Sequence, residues 1–390
     1  MRNEDWVSAG LGKLRERSLF REPRVYAGTG GSLRVGDRTY LNFSSNDYLG
    51  LSRHPAVLGG ARRALERYGA GATASRLITG TLDLHEVLEA KLAEFKGAPA
   101  ALVFGSGALA NLGTLPALLG RDLHVFADRL AHGSILDGIL LSRARLHRFH
   151  HNDMAHLAAL LRRHGVGERR LVVTESVFSM DGDLAPLPEL IATAREHEAL
   201  LFIDDAHAVG VFGEAGAGRV GRSEFEGGVN VCVGTFSKAL GSYGGFVTCS
   251  RRMRDWFVNA ARTFVFSTAL PPPVLGAAAA AVDLVRAEPR LGQELLRRAA
   301  RLRARLAAGG IDTGLSASQI VPVRVGPSAA ALRVSRALRK RGVLAVAIRP
   351  PTVPEGTARL RLSVSLAHTE ADLDRASQCV CGALREEGLL

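Results

Sequence analysis

One lysine near the middle of the chain stands in an unusual setting for a positive charge. Lys238 lies in the stretch Gly-Thr-Phe-Ser-Lys-Ala-Leu-Gly at residues 234–241, directly after the apolar run 231–233. Of the 50 basic residues only five are lysine, so the chain elsewhere mostly uses arginine for positive charge. Because a deprotonated amine forms a Schiff base with an aldehyde and a guanidinium does not, Lys238 is a candidate for covalent chemistry. The alternative is a surface lysine whose alkyl stem covers apolar neighbours.

Small or polar residues also follow other apolar runs of strand length. They are Gly107 and Ala108 after the run 100–104, His132 after 124–128, Ser179 after 171–175, Asp204 and His207 at the end of 200–204, and Thr235 after 231–233. Parallel α/β sheets bind their ligands at the carboxyl ends of the strands. We therefore expect these residues to share one edge of a sheet.

The residue types at these strand ends suit one cofactor. Small residues at the start of a helix offer N–H groups to a phosphate. A carboxylate such as Asp204 is costly at the end of a buried strand unless it pairs with a protonated ring nitrogen or a metal. Together with histidines that can contact a ring and an amine for an aldehyde, this set is what pyridoxal 5'-phosphate requires.

Two other interpretations of the Asp204 and His207 pair stay open at this stage. The pair could bind a metal, with further ligands among His132, Glu175 and Asp181, but these residues are widely dispersed in the sequence. His207 could also be a buried histidine without a chemical role. The prediction is a cofactor site without a metal.

The sequence pattern predicts a mostly parallel sheet with helices on both faces. Apolar runs alternate with helical segments from about residue 100 to residue 248, which is typical of parallel strands buried on both sides. A long helical region is predicted from residue 271 to about residue 308. We predict an N-terminal helix and short strands over 1–45, a large cofactor-binding α/β domain over 46–285 and an α+β domain over 286–390.

Composition narrows the classes of protein. The chain has 390 residues, of which 47% are hydrophobic, and a formal net charge of +12. No apolar run could span a bilayer and the N-terminus is polar, so we expect a cytoplasmic protein that does not bind a membrane. The arginines are scattered along predicted helices, which favours solvated faces over a nucleic-acid surface. A basic cofactor- or nucleic-acid-binding module is the non-enzyme alternative, and an anionic substrate or acidic carrier protein would also suit the charge.

Several motifs resemble those of one enzyme family. Residues 235–244 (Thr-Phe-Ser-Lys-Ala-Leu-Gly-Ser-Tyr-Gly) are similar to the attachment motif of the α-oxoamine synthases, class-II pyridoxal-phosphate enzymes of fold type I. Residues 45–50 and 204–207 recur in that family, and the resemblance covers nearly the whole chain. Residues 316–322 and 347–361 are similar to the branch that acts in biotin synthesis. The resemblance implies fold type I, with a smaller domain formed by both terminal segments, and a homodimer.

The resemblance also implies roles for residues that match the family motifs. Lys238 corresponds to the residue that binds the cofactor covalently, Asp204 to the partner of its pyridine nitrogen, and His207 to a contact of the ring hydroxyl. His132 would stack on the ring and face the substrate. The other cofactor-binding positions are Gly107, Ala108, Ser179 and Thr235.

The substrate positions follow from the same resemblance. Asn46 and Arg361 would bind the carboxylate of the amino acid, and Arg21, Arg349 and Thr352 would face the acyl substrate. The implied reaction is a decarboxylative condensation of L-alanine with a pimeloyl thioester, carried by coenzyme A or by acyl carrier protein. A synthase that uses glycine and acetyl-CoA is the alternative enzyme interpretation.

Overall fold

The structure, a computed structural model, describes residues 4–165 and 167–390. Its strands, in chain order, are β1 (Ser32–Val35), β2 (Arg38–Asn42), β3 (Ala100–Phe104), β4 (His124–Asp128), β5 (Arg145–Phe149), β6 (Arg170–Glu175), β7 (Leu200–Asp204), β8 (Val231–Thr235), β9 (Gly245–Cys249), β10 (Ile320–Gly326), β11 (Val343–Leu344), β12 (Ala347–Ile348) and β13 (Ala358–Ser363).

The helices alternate with these strands. They are α1 (Asp5–Glu16), α2 (Pro55–Tyr68), α3 (Asp83–Lys96), α4 (Gly107–Leu118), α5 (Gly133–Ser142), α6 (Met154–Arg163), α7 (Leu187–Glu196), α8 (Arg222–Gly227), α9 (Arg251–Ala260), α10 (Arg262–Val265), α11 (Pro272–Ala287), α12 (Leu291–Ala308), α13 (Ser328–Lys340) and α14 (Glu370–Glu386). Within the described ranges, none of these helices is both long and apolar enough to cross a membrane.

Contacts within the chain separate two compact units. The first comprises the described residues up to Tyr48, together with Met180–Asp183 and Leu295–Leu390. The second comprises the described residues of Leu49–Ser179 and Leu184–Glu294. The domain boundaries predicted after residues 45 and 285 stay predictions.

The second unit contains a seven-stranded sheet with the order β3-β9-β8-β7-β6-β4-β5. The strands from β4 to β8 are parallel, whereas β9 runs antiparallel to both β8 and β3. The predicted mostly parallel sheet is therefore confirmed, with β9 as the exception. Only the short turn 236–244 joins β8 to β9, and a parallel neighbour would need a longer crossover.

Both faces of this sheet are covered by helices. In β4, Val125 and Ala127 pack into an apolar cluster with α4, α5, α9 and α10. Phe126, which lies between them, points to the opposite face and packs with α6 and α7. Successive side chains of a strand alternate between faces, so a sheet covered on both sides needs apolar residues at every position. This explains the uninterrupted apolar runs in the sequence.

The first unit contains two small sheets, with the orders β1-β2-β11 and β10-β13-β12. β13 is antiparallel to both of its neighbours, and its residues are all buried. Helix α13 contacts strands of both sheets and also α14. These contacts fix β13, which carries one of the predicted substrate-binding arginines.

The helical region predicted from residue 271 to about residue 308 consists of two helices. Helix α11 ends at Ala287 and α12 begins at Leu291. Pro289 lies between them, lacks an N–H and disfavours helical geometry at the preceding residue. Accordingly, Glu288 has ψ of 68°. The predicted region is therefore helical, and the break at this proline is a detail that the prediction did not include.

A buried ion pair fixes the chain that follows β7. Lys96 Nζ lies 2.7 Å from Asp205 Oδ2, and both side chains are fully buried. Asp205 also accepts hydrogen bonds from the Ser176 hydroxyl and from the N–H of Arg219. Burial alone lowers the pKa of the Lys96 amine, but Asp205 opposes this effect and the pKa lies above its ordinary value.

The ion pair leaves no room for a side chain at Gly218. A Cβ at this position would lie 2.0 Å from Asp205 Oδ2 and 2.7 Å from Lys96 Nζ. The φ angle of +104° also favours glycine. The compact ammonium of lysine therefore suits this space better than a planar guanidinium.

We expect Lys96→Met to lower the free energy of unfolding by about 3–5 kcal/mol, because it leaves the buried Asp205 carboxylate without its ion-pair partner. Urea denaturation measures this change. Lys91→Met is the matched control, because Lys91 pairs with Asp283 near the surface and should contribute far less. Equal losses in the two variants would contradict the role assigned to the buried pair.

Candidate active site

Three neighbouring parallel strands of the second unit end in buried carboxylic acids. Asp128 is the last residue of β4, Glu175 of β6 and Asp204 of β7. Their exposed fractions are 0%, 2% and 7%. The strand order places β6 between β4 and β7, and Glu175 is directly paired with Asp204 in the ladder. Three acidic side chains, of which only Asp204 was predicted as a site residue, therefore lie at the carboxyl edge of the sheet.

Asp204 is held by hydrogen bonds from neutral donors. Asn111 Nδ2 donates to Asp204 Oδ2 over 2.8 Å and to Ser134 Oγ over 3.0 Å. The backbone N–H of Ala206 donates to Asp204 Oδ1 over 3.0 Å. Ser134 Oγ lies 2.8 Å from His132 Nδ1. Asp204 and His132 are thus connected through one residue of α4 and one of α5, and both of these donors to Asp204 are uncharged.

The start of α4 forms a cradle of backbone N–H groups. Ser106 caps the helix and accepts from the N–H groups of Leu109 and Ala110. The preceding N–H groups, on Gly107 and Ala108, have no acceptor within a helix and can donate to an anion. A Cβ on Gly107 would lie 3.6 Å from Thr235 Cβ, so the helix start is next to the end of β8.

Two hydroxyls stand beside this helix start. Thr235 Oγ1 lies 2.8 Å from Ser237 Oγ and donates to the Gly244 carbonyl over 2.7 Å. Ser237 is exposed, and it was not among the site residues predicted from the sequence. The close approach depends on Gly245, where a Cβ would lie 2.3 Å from the Gly107 nitrogen.

Lys238 lies in the turn between β8 and β9. The turn is closed by hydrogen bonds from the Phe236 N–H to the Gly244 carbonyl and from the Ser242 N–H to the Phe236 carbonyl. The Lys238 side chain is half-buried and interacts electrostatically with Glu175 at the end of β6. Two further predicted site residues of this unit, Ser179 and His207, are buried as well.

These residues of the second unit fit pyridoxal phosphate. The α4 cradle matches a phosphate, the buried Asp204 carboxylate matches a protonated ring nitrogen, and the Lys238 amine matches an aldehyde. His132 stands at the start of α5, within the hydrogen-bonded network of Asp204. The fit depends on the buried carboxylate of Asp204. The side chain that donates a hydrogen bond to it is the neutral amide of Asn111 rather than a cation.

The first unit holds Asn46 and Arg361 together. Arg361 donates to Asn46 Oδ1 over 3.2 Å and to the Tyr48 hydroxyl over 3.0 Å. Tyr48 in turn donates to Asn46 Oδ1 over 3.1 Å. Burial raises the pKa of Tyr48, while Arg361 opposes this rise. The buried guanidinium of Arg361 is thereby fixed in direction, as recognition of a small carboxylate requires.

The other predicted substrate residues, Arg21, Arg349 and Thr352, line one cavity of the first unit with a volume of about 570 Å³. Arg21 donates to the Pro350 carbonyl over 2.8 Å, and Arg349 donates to the Ser18 carbonyl. Burial lowers the pKa of Arg349, and Arg21 adds to this effect. Arg349 Nε is buried without a hydrogen-bond partner among the described residues. Five arginines and one glutamate line the cavity, which suits an anionic ligand.

The metal interpretation finds no support in the described residues. Asp181, one of the candidate ligands, pairs with Arg359 and Arg324. Across 4–165 and 167–390, no three His, Cys, Asp or Glu side chains are grouped as a metal site requires.

Sequence reasoning missed Asn111, Ser134 and Tyr48. Asn111 interrupts an otherwise apolar helix, and a polar side chain at a buried helical position is the signal that could have found it. Ser134 has no such signal, because a serine near a helix start is common. Tyr48 stands in the motif 45–50, but its contact with Arg361 joins positions that are far apart in the sequence.

Comparison with known proteins gives a consistent picture. The family model described as aminotransferase class I and II matches residues 38–380. The chain is 48% identical to 8-amino-7-oxononanoate synthase of Geobacter sulfurreducens, over 98% of this chain and 99% of the relative. It is 50% identical to a putative 8-amino-7-oxononanoate synthase of Bordetella bronchiseptica, over 97% and 96% of the two chains.

Solved structures with the same fold include serine palmitoyltransferase of S. paucimobilis with bound pyridoxal phosphate and myriocin. The TM-score is 0.93 at 32% identity, covering 99% of this chain and 98% of that chain. For 8-amino-7-oxononanoate synthase of Francisella tularensis, the TM-score is 0.76 at 25% identity, covering 90% and 99%. Both comparisons agree with the fold predicted from the sequence.

We expect Asn111→Ala to weaken pyridoxal phosphate binding and to lower turnover, each by about tenfold or more, because a hydrogen bond to a buried carboxylate is lost. Cofactor titration and steady-state kinetics measure the two effects. Asn259→Ala is the control, since Asn259 is exposed and bonds only its own helix. An Asn111 variant with normal cofactor affinity and turnover would refute the network.

Proposed function

Because the chain belongs to the class I and II aminotransferase family, we propose that it condenses L-alanine with a pimeloyl thioester. The products are 8-amino-7-oxononanoate, carbon dioxide and the free thiol carrier, and the reaction belongs to biotin synthesis. The observation that carries this proposal is near full-length identity of about 50% to relatives named for that activity. The chain contains Lys238, Asp204 and the α4 cradle that such a reaction needs.

The chain is a pyridoxal-phosphate enzyme. When bound, the cofactor supplies an electron sink that stabilises a carbanion at the α-carbon of the amino acid. Lys238 is the residue that attaches the cofactor, and its Nζ takes and returns the α-proton. The Asp204 carboxylate keeps the ring nitrogen protonated, and a protonated nitrogen is what makes the ring an effective acceptor of electrons.

The remaining residues of the second unit hold and orient the cofactor. We assign the phosphate to the N–H groups of Gly107 and Ala108 with Thr235, and add Ser237 because it lies next to Thr235. We assign His132 to the face of the ring and to the substrate. We assign His207 to the ring hydroxyl and Ser179 to the cofactor near that hydroxyl.

The residues of the first unit bind the substrates. Arg361 and Asn46 take the carboxylate of L-alanine, for which the guanidinium is already oriented by Tyr48. Arg21, Arg349 and Thr352 face the pimeloyl group. The cavity they share is rich in arginine, and a pimeloyl group ends in a carboxylate.

The proposal also covers the acyl donor, the oligomeric state and the cellular location. Coenzyme A and acyl carrier protein both deliver a thioester, and the net charge of +12 suits either anionic carrier. We propose a homodimer in the cytoplasm, as the family resemblance implies.

We expect Lys238→Ala to abolish turnover and the covalent attachment of the cofactor while the chain still folds. Lys238→Arg should be equally inactive, because the guanidinium keeps the charge but forms no Schiff base. Borohydride reduction followed by mass spectrometry detects the attached cofactor on the wild-type lysine. Attachment or turnover in either variant would contradict the assignment.

Substrate specificity is tested with L-alanine or glycine and with pimeloyl-CoA, pimeloyl-acyl carrier protein or acetyl-CoA. We expect kcat/KM for L-alanine with a pimeloyl donor to exceed that for glycine with acetyl-CoA by at least about a hundredfold, because acetyl lacks the terminal carboxylate. Thiol release and product mass provide the measurement, with Lys238→Ala as the blank. Preference for glycine and acetyl-CoA would identify the alternative synthase.

A further inference from the structure

Strands β4, β6 and β7 each end in a buried acidic residue. Hydrogen bonds stabilise the three carboxylates very unequally. Asp128 accepts from the N–H groups of Leu130 and Asn152, and one of its oxygens lies 3.0 Å from His151 Nδ1. Asp204 accepts from the Asn111 amide and from a backbone N–H. Each of these two carboxylates therefore has donors on both oxygens.

Glu175 has fewer partners than either aspartate. It accepts from the backbone N–H of His132, and its Oε1 is buried without a hydrogen-bond partner among the described residues. An ionised carboxylate in this position would leave one oxygen unsolvated beside the carboxylate of Asp204. Glu175 has the fewest hydrogen-bond donors of the three neighbouring acids, so protonation costs the least free energy at Glu175.

We propose that Glu175 is a positioning residue of the active site, a neutral carboxylic acid that anchors the start of α5 and adds no second negative charge beside Asp204. This inference rests on the proposed roles of Asp204 and His132. It does not depend on the acyl substrate.

The hydrogen bonds explain how Glu175 acts through other residues. It binds the His132 backbone, and the His132 ring contacts Ser134, which is bonded to Asn111. Asn111 bonds Asp204, and Asp204 stands opposite Glu175 in the strand ladder. The five residues thus form a closed ring of contacts, so that loss of Glu175 would free His132.

The groups around Glu175 favour its protonated form. Burial raises the pKa of Glu175 well above its ordinary range, and Asp204 and, more weakly, Asp128 raise it further. Lys238 and the His132 N–H act in the opposite direction but do not compensate. A second anion at this edge would also favour the positive form of the Lys238 nitrogen and so oppose its work as a base.

Glu175→Gln tests the charge state in the holoenzyme. Gln has the same shape, carries no charge and still accepts from His132. We therefore expect the pH midpoint of the bound cofactor's visible absorbance to stay unchanged. If Glu175 were ionised in the wild type, Glu175→Gln would remove a negative charge near Lys238. The pH midpoint of the absorbance would then fall by about one unit or more, and this result would overturn the proposal.

Glu175→Ala tests the positioning. It leaves the His132 N–H without its acceptor, so we expect kcat to fall by about tenfold or more, while Glu175→Gln restores most of the activity. Equal activity of the Ala variant and the wild type would show that Glu175 does not position His132.

Thermal melting of the holoenzyme across pH gives a readout independent of activity. Because the folded pKa of Glu175 is raised, the unfolded chain ionises first, and the wild type loses stability as pH rises from the unfolded value towards the folded one. Glu175→Gln lacks this loss, so its melting temperature should gain on the wild type as pH rises. The control Glu89→Gln breaks a buried pair with Arg76 and should lower the melting temperature similarly at every pH between 6 and 9.

A constant difference between Glu175→Gln and the wild type across pH would overturn the proposal. Neither melting nor absorbance requires an acyl donor. If the enzyme rejects pimeloyl thioesters while these two results hold, the proposed substrate is refuted and the role of Glu175 stands.

Discussion

The architecture of the second unit depends on how buried carboxylates are stabilised at one edge of its sheet. Strands covered on both faces must be apolar along their length, so polar chemistry can begin only where they end. There, Asp128, Glu175, Asp204 and Asp205 are all removed from water. Each needs donors, a cation or a proton. Asn111 of α4, Lys96 at the end of α3 and backbone N–H groups that follow β4, β5 and β7 supply many of these groups, and so the helices are fixed relative to the strands.

The same constraint explains where this arginine-rich chain uses lysine. Lys96 neutralises Asp205 in a space that Gly218 keeps free of any side chain, and a compact ammonium fits there. The role proposed for Lys238 requires an amine that can lose its proton, which a guanidinium does not do. By contrast, Arg361 is held by planar, multidentate hydrogen bonds to Asn46 and Tyr48. Composition alone drew attention to Lys238; only the structure shows that Lys96 is exceptional for a different reason.

Much of the sheet and the positions of Asp204, Gly107 and Thr235 could be predicted from the sequence, because apolar runs and strand ends are local patterns. The antiparallel β9 and the break at Pro289 were missed, since the first depends on pairing and the second on one residue within a strong helical pattern. Asn111 and Glu175 were not recognised as neighbours of Asp204. Their importance comes from contacts between segments far apart in the chain. A sequence without distances gave Glu175 only as a dispersed metal-ligand candidate.

Asp204 and Asp205 are adjacent in the chain, yet the structure uses their charges in opposite ways. Lys96 and a hydroxyl neutralise and solvate Asp205, so its charge serves folding. Asp204 receives hydrogen bonds from an amide and a backbone N–H, which lower the cost of burial without cancelling the charge. If Asp204 pairs with the ring nitrogen as proposed, a cation in place of Asn111 would compete with that nitrogen, and an ionised Glu175 would place a second anion beside Asp204. The role proposed for Asp204 therefore depends on its neutral partners as well as on the carboxylate itself.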